Sequence, residues 1–269
     1  MERRLITPAE AALLLEPSGG TANRCVQAGL LSLLDSGRIE LAASTSVWKQ
    51  TALVLVSPDA PRGEALPAHI ASLARALTGY GKGPRLTSSQ VIHAFQRAFG
   101  MNYRRYVHDE VAPSLIKRGM IDRIDDKWLG IFPRVRYVRT ARGEALAAPF
   151  ERLMLAIEQL PAMIDRDPER AIALARSAGV LLIMSPTARR QIPALRKLLA
   201  SRGNDIHSVT YVAIDTEQEK DWNELLDIGD MALEFDLFET LFDSIDAVGD
   251  LTSSGDGGSD GGDGGGGGD

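Results

Sequence analysis

The sequence predicts a mainly α-helical fold with small β-hairpins, in which two winged-helix-like units are followed by a helical bundle. Three observations support this class. Residues 7–57 contain a capped helix, an amphipathic helix, a glycine and two strand-like runs, in that order. Residues 88–140 repeat the order. Residues 144–202 then show helical patterning interrupted only by prolines, which is typical of a bundle of short helices.

The first unit begins with a capping box, Thr7-Pro8-Ala9-Glu10, in which proline and glutamate stand at the first and third helical positions. Thr21 is expected to cap a second helix, whose apolar residues recur at helical spacing until Gly37 ends it. Alternating and β-branched residues then predict a hairpin with strands at residues 38–41 and 52–56.

The second unit is expected to begin at Ser88 or Ser89, either of which could cap its first helix. Its second helix is predicted from about Tyr103 to Arg118, where Gly119 ends it. A hairpin over residues 120–138 follows.

Residues 1–203 are therefore interpreted as one domain, whose last part is divided into three or four helices by Pro149, Pro161, Pro168 and Pro186. The run 171–182 is nearly all apolar and is expected to be the buried central helix. Residues 204–250 form an acidic C-terminal segment, amphipathic over 222–248. Residues 251–269 are almost entirely Gly, Asp and Ser, so we expect a disordered tail.

The net charge of −6 conceals a strong polarity along the chain. Residues 215–269 hold 17 acidic residues and one basic residue, whereas the remainder holds 19 acidic and 29 basic residues, a net charge of +10. Residues 82–145 alone carry 13 basic and 6 acidic residues, a net charge of +7. A basic body favours phosphate-bearing partners, and an acidic tail can compete for the same surface.

Motifs for catalysis and metal binding are missing from the sequence. The four histidines lack metal-ligand spacing, the single cysteine cannot form an internal disulfide, and no phosphate-binding glycine loop or nucleophile motif occurs. We therefore expect no enzyme activity, no cofactor and no metal site. Cys25 is expected to be a small buried core residue rather than a reactive thiol. A membrane-spanning helix needs about 20 apolar residues, and no apolar run in the sequence approaches that length. We therefore expect a cytoplasmic protein with peripheral membrane contact at most.

A basic helix is the first candidate binding element. Arg104, Arg105 and His108 lie near the start of the helix that precedes the second hairpin. They are interpreted either as an anion-binding site or as a solvated helix face paired with Asp109 and Glu110.

The second hairpin is the other candidate. Its tip carries Trp128, Leu129, Ile131 and Phe132, which could insert into a bilayer surface or pack on the last helices. Arg134, Arg136 and Arg139 follow on the returning strand and are expected to share one face as a basic stripe.

Several stretches resemble the Golgi phosphoprotein 3 family and its bacterial relatives. The hairpin signature is carried by residues 115–121 and 129–137, and residues 30–41, 56–66 and 167–181 fall in the family's order. The resemblance covers roughly residues 5–202. It implies a mainly helical fold with hairpins that binds phosphatidylinositol 4-phosphate at membranes and has no established catalysis.

The resemblance also assigns individual residues. It places Arg105 at the first position of the family's arginine pair and His108 at the second. The family's lipid-contacting tryptophan has no counterpart near Pro17, and its loop arginine is replaced by Val26, with Arg24 nearby. The resemblance thus favours binding of anionic lipids in general over recognition of one phosphoinositide.

These observations predict a non-enzymatic peripheral membrane or adaptor protein that binds anionic lipid headgroups and is autoinhibited by its acidic tail. A winged-helix nucleic-acid-binding protein is the first alternative, with residues 103–118 as the recognition helix, although the net charge disfavours it. A protein-interaction scaffold is the second. Its partner face would lie within residues 222–248, at Phe235, Leu237, Phe238, Leu241 and Phe242. The oligomeric state is left open.

Overall fold

A computed structural model describes residues 6–17, 21–46, 49–56, 66–81, 83–128, 131–178, 181–182, 185–201 and 241–247. Its helices are α1 (Pro8–Leu15), α2 (Ala22–Asp35), α3 (Ala68–Thr78), α4 (Ser88–Phe99), α5 (Ala112–Lys117), α6 (Ala141–Glu158), α7 (Leu160–Arg166), α8 (Pro168–Ala178), α9 (Pro186–Arg189), α10 (Ile192–Ser201) and α11 (241–247). Its strands are β1 (Ile39–Ser46), β2 (Lys49–Val56), β3 (Arg85–Thr87), β4 (Ile121–Trp128) and β5 (Phe132–Arg139). The predicted class, mainly α with small β-hairpins, is confirmed.

Two antiparallel sheets follow the predicted hairpins. β1 pairs with β2 from Ile39↔Val56 to Ser46↔Lys49, so the strands are longer than predicted. β3, which the sequence did not predict, adds a third strand through the pair Val54↔Leu86. β4 and β5 form a separate sheet of two strands. The order helix, helix, hairpin therefore occurs twice.

The first unit follows its predicted helix-end signals except at Thr21. The Thr7 side chain accepts from the main chain of Glu10 and the Glu10 side chain accepts from the main chain of Thr7, which completes the capping box. Thr21 occupies the cap position of α2, but its hydroxyl donates to the carbonyl of Glu16 at 2.5 Å and makes no cap hydrogen bond to α2. Gly37 ends the helix with φ +63°, a left-handed conformation that suits glycine.

The second unit departs from its prediction in two places. α4 is capped by Thr87, with Gln90 completing a capping box, rather than by Ser88 or Ser89. The predicted continuous helix from Tyr103 to Arg118 is divided into a helical start at residues 104–105, a π-helix (Tyr106–Val111) and the short α5. Pro113 explains the division, because it has no N–H to bond the carbonyl of Asp109 and its ring would crowd that carbonyl.

α2 forms the centre of the core. Most of its residues are buried, and Cys25 is fully inaccessible, which confirms its interpretation as a core residue. A Cβ added to Gly29 would collide with Leu73 of α3 and lie 2.8 Å from the hydroxyl of Tyr106. The missing side chain therefore lets α3 and the π-helix pack directly on α2.

A buried polar cluster joins α1 to α3 and α5. Glu10 is only 2% exposed, and its Oε2 accepts from Arg118 Nη1 at 3.3 Å. The Thr7 hydroxyl lies 2.8 Å from Nε2 of His69, which is itself buried. One capping box thus serves both to start α1 and to fix it against two other helices.

The C-terminal bundle contains five described helices, α6 to α10, where three or four were predicted. Pro149 lies inside α6 and does not end it, whereas Pro161, Pro168 and Pro186 each stand in the first turn of a helix. Residues Ala171, Ala175, Ala178, Leu181 and Leu182 are buried, as expected for the central helix. The predicted tail at 251–269 and the segment 204–240 lie outside the described residues, but 241–247 form α11, which packs on α2.

Candidate anion-binding surface

The base of the β4–β5 hairpin is fixed to the start of α6. The Thr140 side chain donates to the carbonyl of Gly119 at 2.7 Å and caps α6 through the main chain of Gly143. A Cβ on Gly143 would collide with the carbonyl oxygen of Met120, so only glycine permits this close approach. Ile121 and Tyr137 are buried at the base. These contacts attach the base of the hairpin closely to α6.

His108 joins the π-helix to this hairpin. Its Nδ1 lies 2.7 Å from the hydroxyl of Tyr137 on β5, and the two rings are 5.5 Å apart. Half-burial is the main cause that lowers the pKa of His108 below its ordinary value of 6.5. The positive charge of Arg123 lowers this pKa further, Asp109 opposes the shift, and Arg104 adds to it. The imidazole is therefore neutral at pH 7.

Arg104 and Arg105 stand at the start of this helical segment and are exposed. Within the described residues, neither arginine forms an ion pair with a carboxylate. The interpretation that they pair with Asp109 and Glu110 on a solvated helix face is therefore not supported by an ion pair. The two guanidinium groups are therefore available to an external anion.

Arg123 was missed by the sequence analysis. It pairs across the sheet with Tyr137, the residue that holds His108, and its charge acts on His108. It is exposed and pairs with Asp125 at 2.9 Å. The signal that could have found it is the hairpin register, because a residue opposite Tyr137 must lie beside whatever Tyr137 contacts.

The basic stripe predicted on β5 does not form. Side chains alternate along a strand, so Arg136 and Arg139, which stand three residues apart on β5, lie on opposite faces. Arg136 pairs with Asp126 at 2.7 Å. Arg139 is 14% exposed and is held by Glu151, by Glu144 at 3.3 Å and by the carbonyl of Leu15 at 3.4 Å. It therefore fastens the hairpin to α1 and α6. The side chain of Arg134 lies outside what the structure describes.

Arg24 stands near the start of α2, beside residues of α1 and α6. It pairs with Glu16 at 2.7 Å and lines a shallow groove between α1, α2 and α6 with Leu15 and Glu151. Leu15 and Glu151 also contact Arg139. The predicted site residues thus separate into two groups, Arg24 with Arg139 and Arg104 with Arg105 and His108.

The hairpin tip is described in part. Trp128 and Phe132 pair across the last position of the ladder, but their side chains and all of Leu129 lie outside the described residues. Ile131 is 75% exposed. Met101, shortly before Arg104, is also well exposed, so an apolar side chain stands close in sequence to these cations.

The described ranges hold neither a metal-binding cluster nor a membrane-spanning helix. Within them, no three His, Cys, Asp or Glu side chains converge as metal ligands. None of the helices in the same ranges combines the length and the apolar character that crossing a bilayer requires.

Comparison with known proteins identifies the family. The family model for Golgi phosphoprotein 3 (GPP34) matches residues 17–216, which include α2 to α10, both sheets and the surface around His108. The match begins after α1 and ends before α11. No curated protein matches the chain. Because the family model covers most of the sequence, the chain belongs to the Golgi phosphoprotein 3 (GPP34) family.

Proposed function

We propose that this protein is a peripheral membrane adaptor that binds anionic lipid headgroups through Arg104, Arg105, His108 and Arg123, called here the basic surface. Family membership supports a lipid-binding adaptor role at the level of the family. The observation that carries the proposal is the half-buried His108, which contacts Tyr137 of the hairpin and has the charges of the exposed Arg104 and Arg123 acting on it, with the exposed Arg105 on the same helical segment.

The basic surface suits phosphate better than a carboxylate substrate or a cleft ligand. A guanidinium group can donate two parallel hydrogen bonds to two oxygens of one phosphate. Arg104, Arg105 and Arg123 are also exposed, so a headgroup can reach them. The nearby Asp109 and Asp125 reduce the local charge, so the surface is moderately basic. Each cation near an anionic bilayer contributes about 1 kcal/mol, which gives about 3 kcal/mol for three arginines at low salt. Binding is thus reversible and sensitive to salt.

The hairpin supplies the apolar part of the contact. Ile121 and Tyr137 are buried at its base, and Ile131 is exposed at its tip. A tip that enters the interfacial region would add apolar burial that salt does not weaken. Cations near the base of the hairpin and an apolar side chain at its tip suit the two layers of a bilayer surface, phosphates outside and acyl chains beneath.

The broken helix argues against the nucleic-acid alternative. A recognition helix in the major groove presents a continuous face, whereas residues 104–117 change from α to π and back. The imidazole of His108 is also turned towards the hairpin by Tyr137. A duplex-binding role would need a different surface of this chain.

Co-flotation of the full chain with vesicles tests the proposal. The vesicles contain neutral phosphatidylcholine alone, or with phosphatidylinositol 4-phosphate, or with phosphatidylserine at matched total charge. We expect flotation with both anionic vesicles at low salt and a marked decrease at high salt. A preference for the phosphoinositide at matched charge would indicate headgroup recognition beyond charge.

A pair of charge reversals locates the binding surface. Arg104→Glu with Arg105→Glu should abolish flotation. Arg166→Glu with Arg170→Glu, at exposed positions of α7 and α8, changes the net charge equally and should leave most of the binding. Equal loss in the two double variants would contradict the location. Saturable duplex DNA binding without flotation would replace the proposal.

The acidic tail is proposed to oppose this binding. Residues 215–269 carry a net charge of −16 and can screen or cover the basic body. Neutralising acids of 250–269 in the full chain should then raise flotation, and unchanged flotation would contradict autoinhibition.

A further inference from the structure

α11 is held by a surface with matched polar and apolar groups. Leu241, Phe242 and Ile245 are fully buried although they lie in an acidic segment. Their burial excludes Leu241 and Phe242 from the exposed partner face that the scaffold alternative required. Beside them, two amide side chains of α2 and one arginine of α9 face the helix.

The side-chain amides of Asn23 and Gln27 donate hydrogen bonds to the main chain of α11. Asn23 Nδ2 donates to the carbonyl of Ile245 at 3.4 Å, and Gln27 Nε2 donates to the carbonyl of Phe242, also at 3.4 Å. Asn23 and Gln27 stand one turn apart, so they share a face of α2. The two amides thus donate to main-chain carbonyls of α11 that are three residues apart.

Gln27 and Arg189 bind acidic side chains of α11. Gln27 Nε2 also donates to Asp246 Oδ1 at 2.8 Å, and Arg189 Nη2 lies 2.9 Å from Asp246 Oδ2. Arg189 also faces Asp243 at 3.9 Å. Both receptor residues are withdrawn from solvent, since Gln27 is 3% and the Arg189 side chain 14% exposed. A buried amide and a buried guanidinium that meet one carboxylate form a specific acceptor for an acidic helix.

We infer that α2 and α9 form a recognition site for a short acidic amphipathic helix, and that residues 241–247 are its occupant within the same chain. The receptor residues Asn23, Gln27 and Arg189 lie inside the part that matches the family model, whereas α11 lies outside it. The family domain thus carries the site and the C-terminal extension carries the ligand. A second helix with the pattern of residues 241–246, Leu-Phe-Asp-Ser-Ile-Asp, would fit Asn23, Gln27 and Arg189 in the same way.

Covalent attachment decides which helix occupies the site. Tethered modules reach effective concentrations up to about millimolar, so a free helix of equal affinity at micromolar concentration does not displace α11. An external helix gains access when the internal one is weakened.

The test uses the full chain with Phe242→Ser and Ile245→Ser, which vacates the site, and a fluorescent peptide of residues 238–250 as probe. We expect saturable binding to the vacated chain, measured by anisotropy, and binding at least about tenfold weaker to the wild-type chain. Adding Arg189→Glu to the vacated chain should weaken peptide binding at least about tenfold. Adding Arg190→Glu, an exposed neighbour with the same charge change, should not.

A peptide with Asp243→Arg and Asp246→Arg should bind the Arg189→Glu chain better than the Arg190→Glu chain. Absence of peptide binding to a vacated chain with a cooperative thermal transition would overturn the inference, as would equal effects of Arg189→Glu and Arg190→Glu. No lipid is present, so failure of the proposed membrane function leaves this result unaffected.

Hydrogen exchange of the full chain provides an independent measurement if the vacated chain does not fold. Asp246→Arg should speed amide exchange in residues 241–247, and Asp246→Arg combined with Arg189→Glu should restore protection. Exchange in the Asp246→Arg chain equal to that in the wild type would also overturn the inference.

Discussion

Nδ1 of His108 lies 2.7 Å from the hydroxyl oxygen of Tyr137, a residue 29 positions later in the chain. The contact holds the imidazole between the π-helix and β5, with Arg104 and Arg123 close enough to disfavour its protonation. An anion bound at the basic surface would reverse that effect, because negative charge favours the imidazolium.

Anion binding should therefore strengthen on acidification. His108 is neutral above its ordinary pKa of 6.5 and becomes cationic as pH falls through its lowered value. Flotation with phosphatidylglycerol vesicles, whose charge is constant over this range, should rise from about pH 7.5 to about pH 5.5. His108→Arg should bind more strongly at the higher pH and lose the pH dependence, and His108→Asn should bind weakly at both. A pH dependence that survives in His108→Asn would contradict this assignment.

Stability should decrease on acidification for a separate reason. Burial lowers the pKa of His69, and the neighbouring Glu10 only partly opposes the shift. A lowered histidine pKa means that the unfolded chain binds the proton more readily. The contribution of His69 is therefore complete above pH 6.5 and is lost as pH falls through the folded value. Thermal unfolding should show a smaller decrease in Tm between pH 7 and pH 5 for His69→Gln than for the wild type. His93→Gln, at an exposed position, should keep the wild-type slope.

The ion pair between Arg118 and Glu10 should contribute measurably to stability. Removing the guanidinium leaves a carboxylate that is 2% exposed without its charged partner, although the main chain of Thr7 still donates to it. We expect Arg118→Ala to lower the free energy of unfolding by about 2 kcal/mol in urea titrations. Lys117→Ala, at the exposed position before it, should change it by less than about 0.5 kcal/mol. Similar losses in both variants would contradict the role of the pair.

Gly143 should tolerate no side chain. A Cβ there meets the main-chain carbonyl of Met120, which cannot move without shifting the hairpin base. We expect Gly143→Ala to cost about 3 kcal/mol in urea titrations, at the upper end for an overpacked site. Gly83→Ala places its Cβ in open space and serves as the control. A near-neutral Gly143→Ala would show that the junction of β4 and α6 is adaptable.

Local signals in the sequence predicted the local structure well. The Thr7 capping box, the glycines that end helices and the two hairpins each depend on neighbours within a few residues, so their physics is visible in a short window. The same approach placed Pro149 at a helix boundary, yet α6 continues through it. Packing of a long helix can offset the cost of one proline, and a local rule does not include that packing.

The site was predicted less completely because it depends on contacts between distant segments. Arg104, Arg105 and His108 were found from local charge, whereas Arg123 joins them only through the register of β4 and β5. Arg139 was assigned to the wrong face because its spacing from Arg136 is odd. The docking of α11 joins residues more than 200 positions apart, such as Gln27 and Asp246, and no short-range pattern encodes it.

Cys25 has a practical consequence for probing this molecule. It is the only cysteine of the chain, it is fully inaccessible, and burial raises the pKa of its thiol. Thiolate formation and contact with a reagent both require α2 to open, so the native protein should resist maleimides and alkylating agents. A cysteine introduced at Ile131 would then be labelled selectively. The slow rate at which Cys25 of the wild-type chain is labelled would measure how often its core opens.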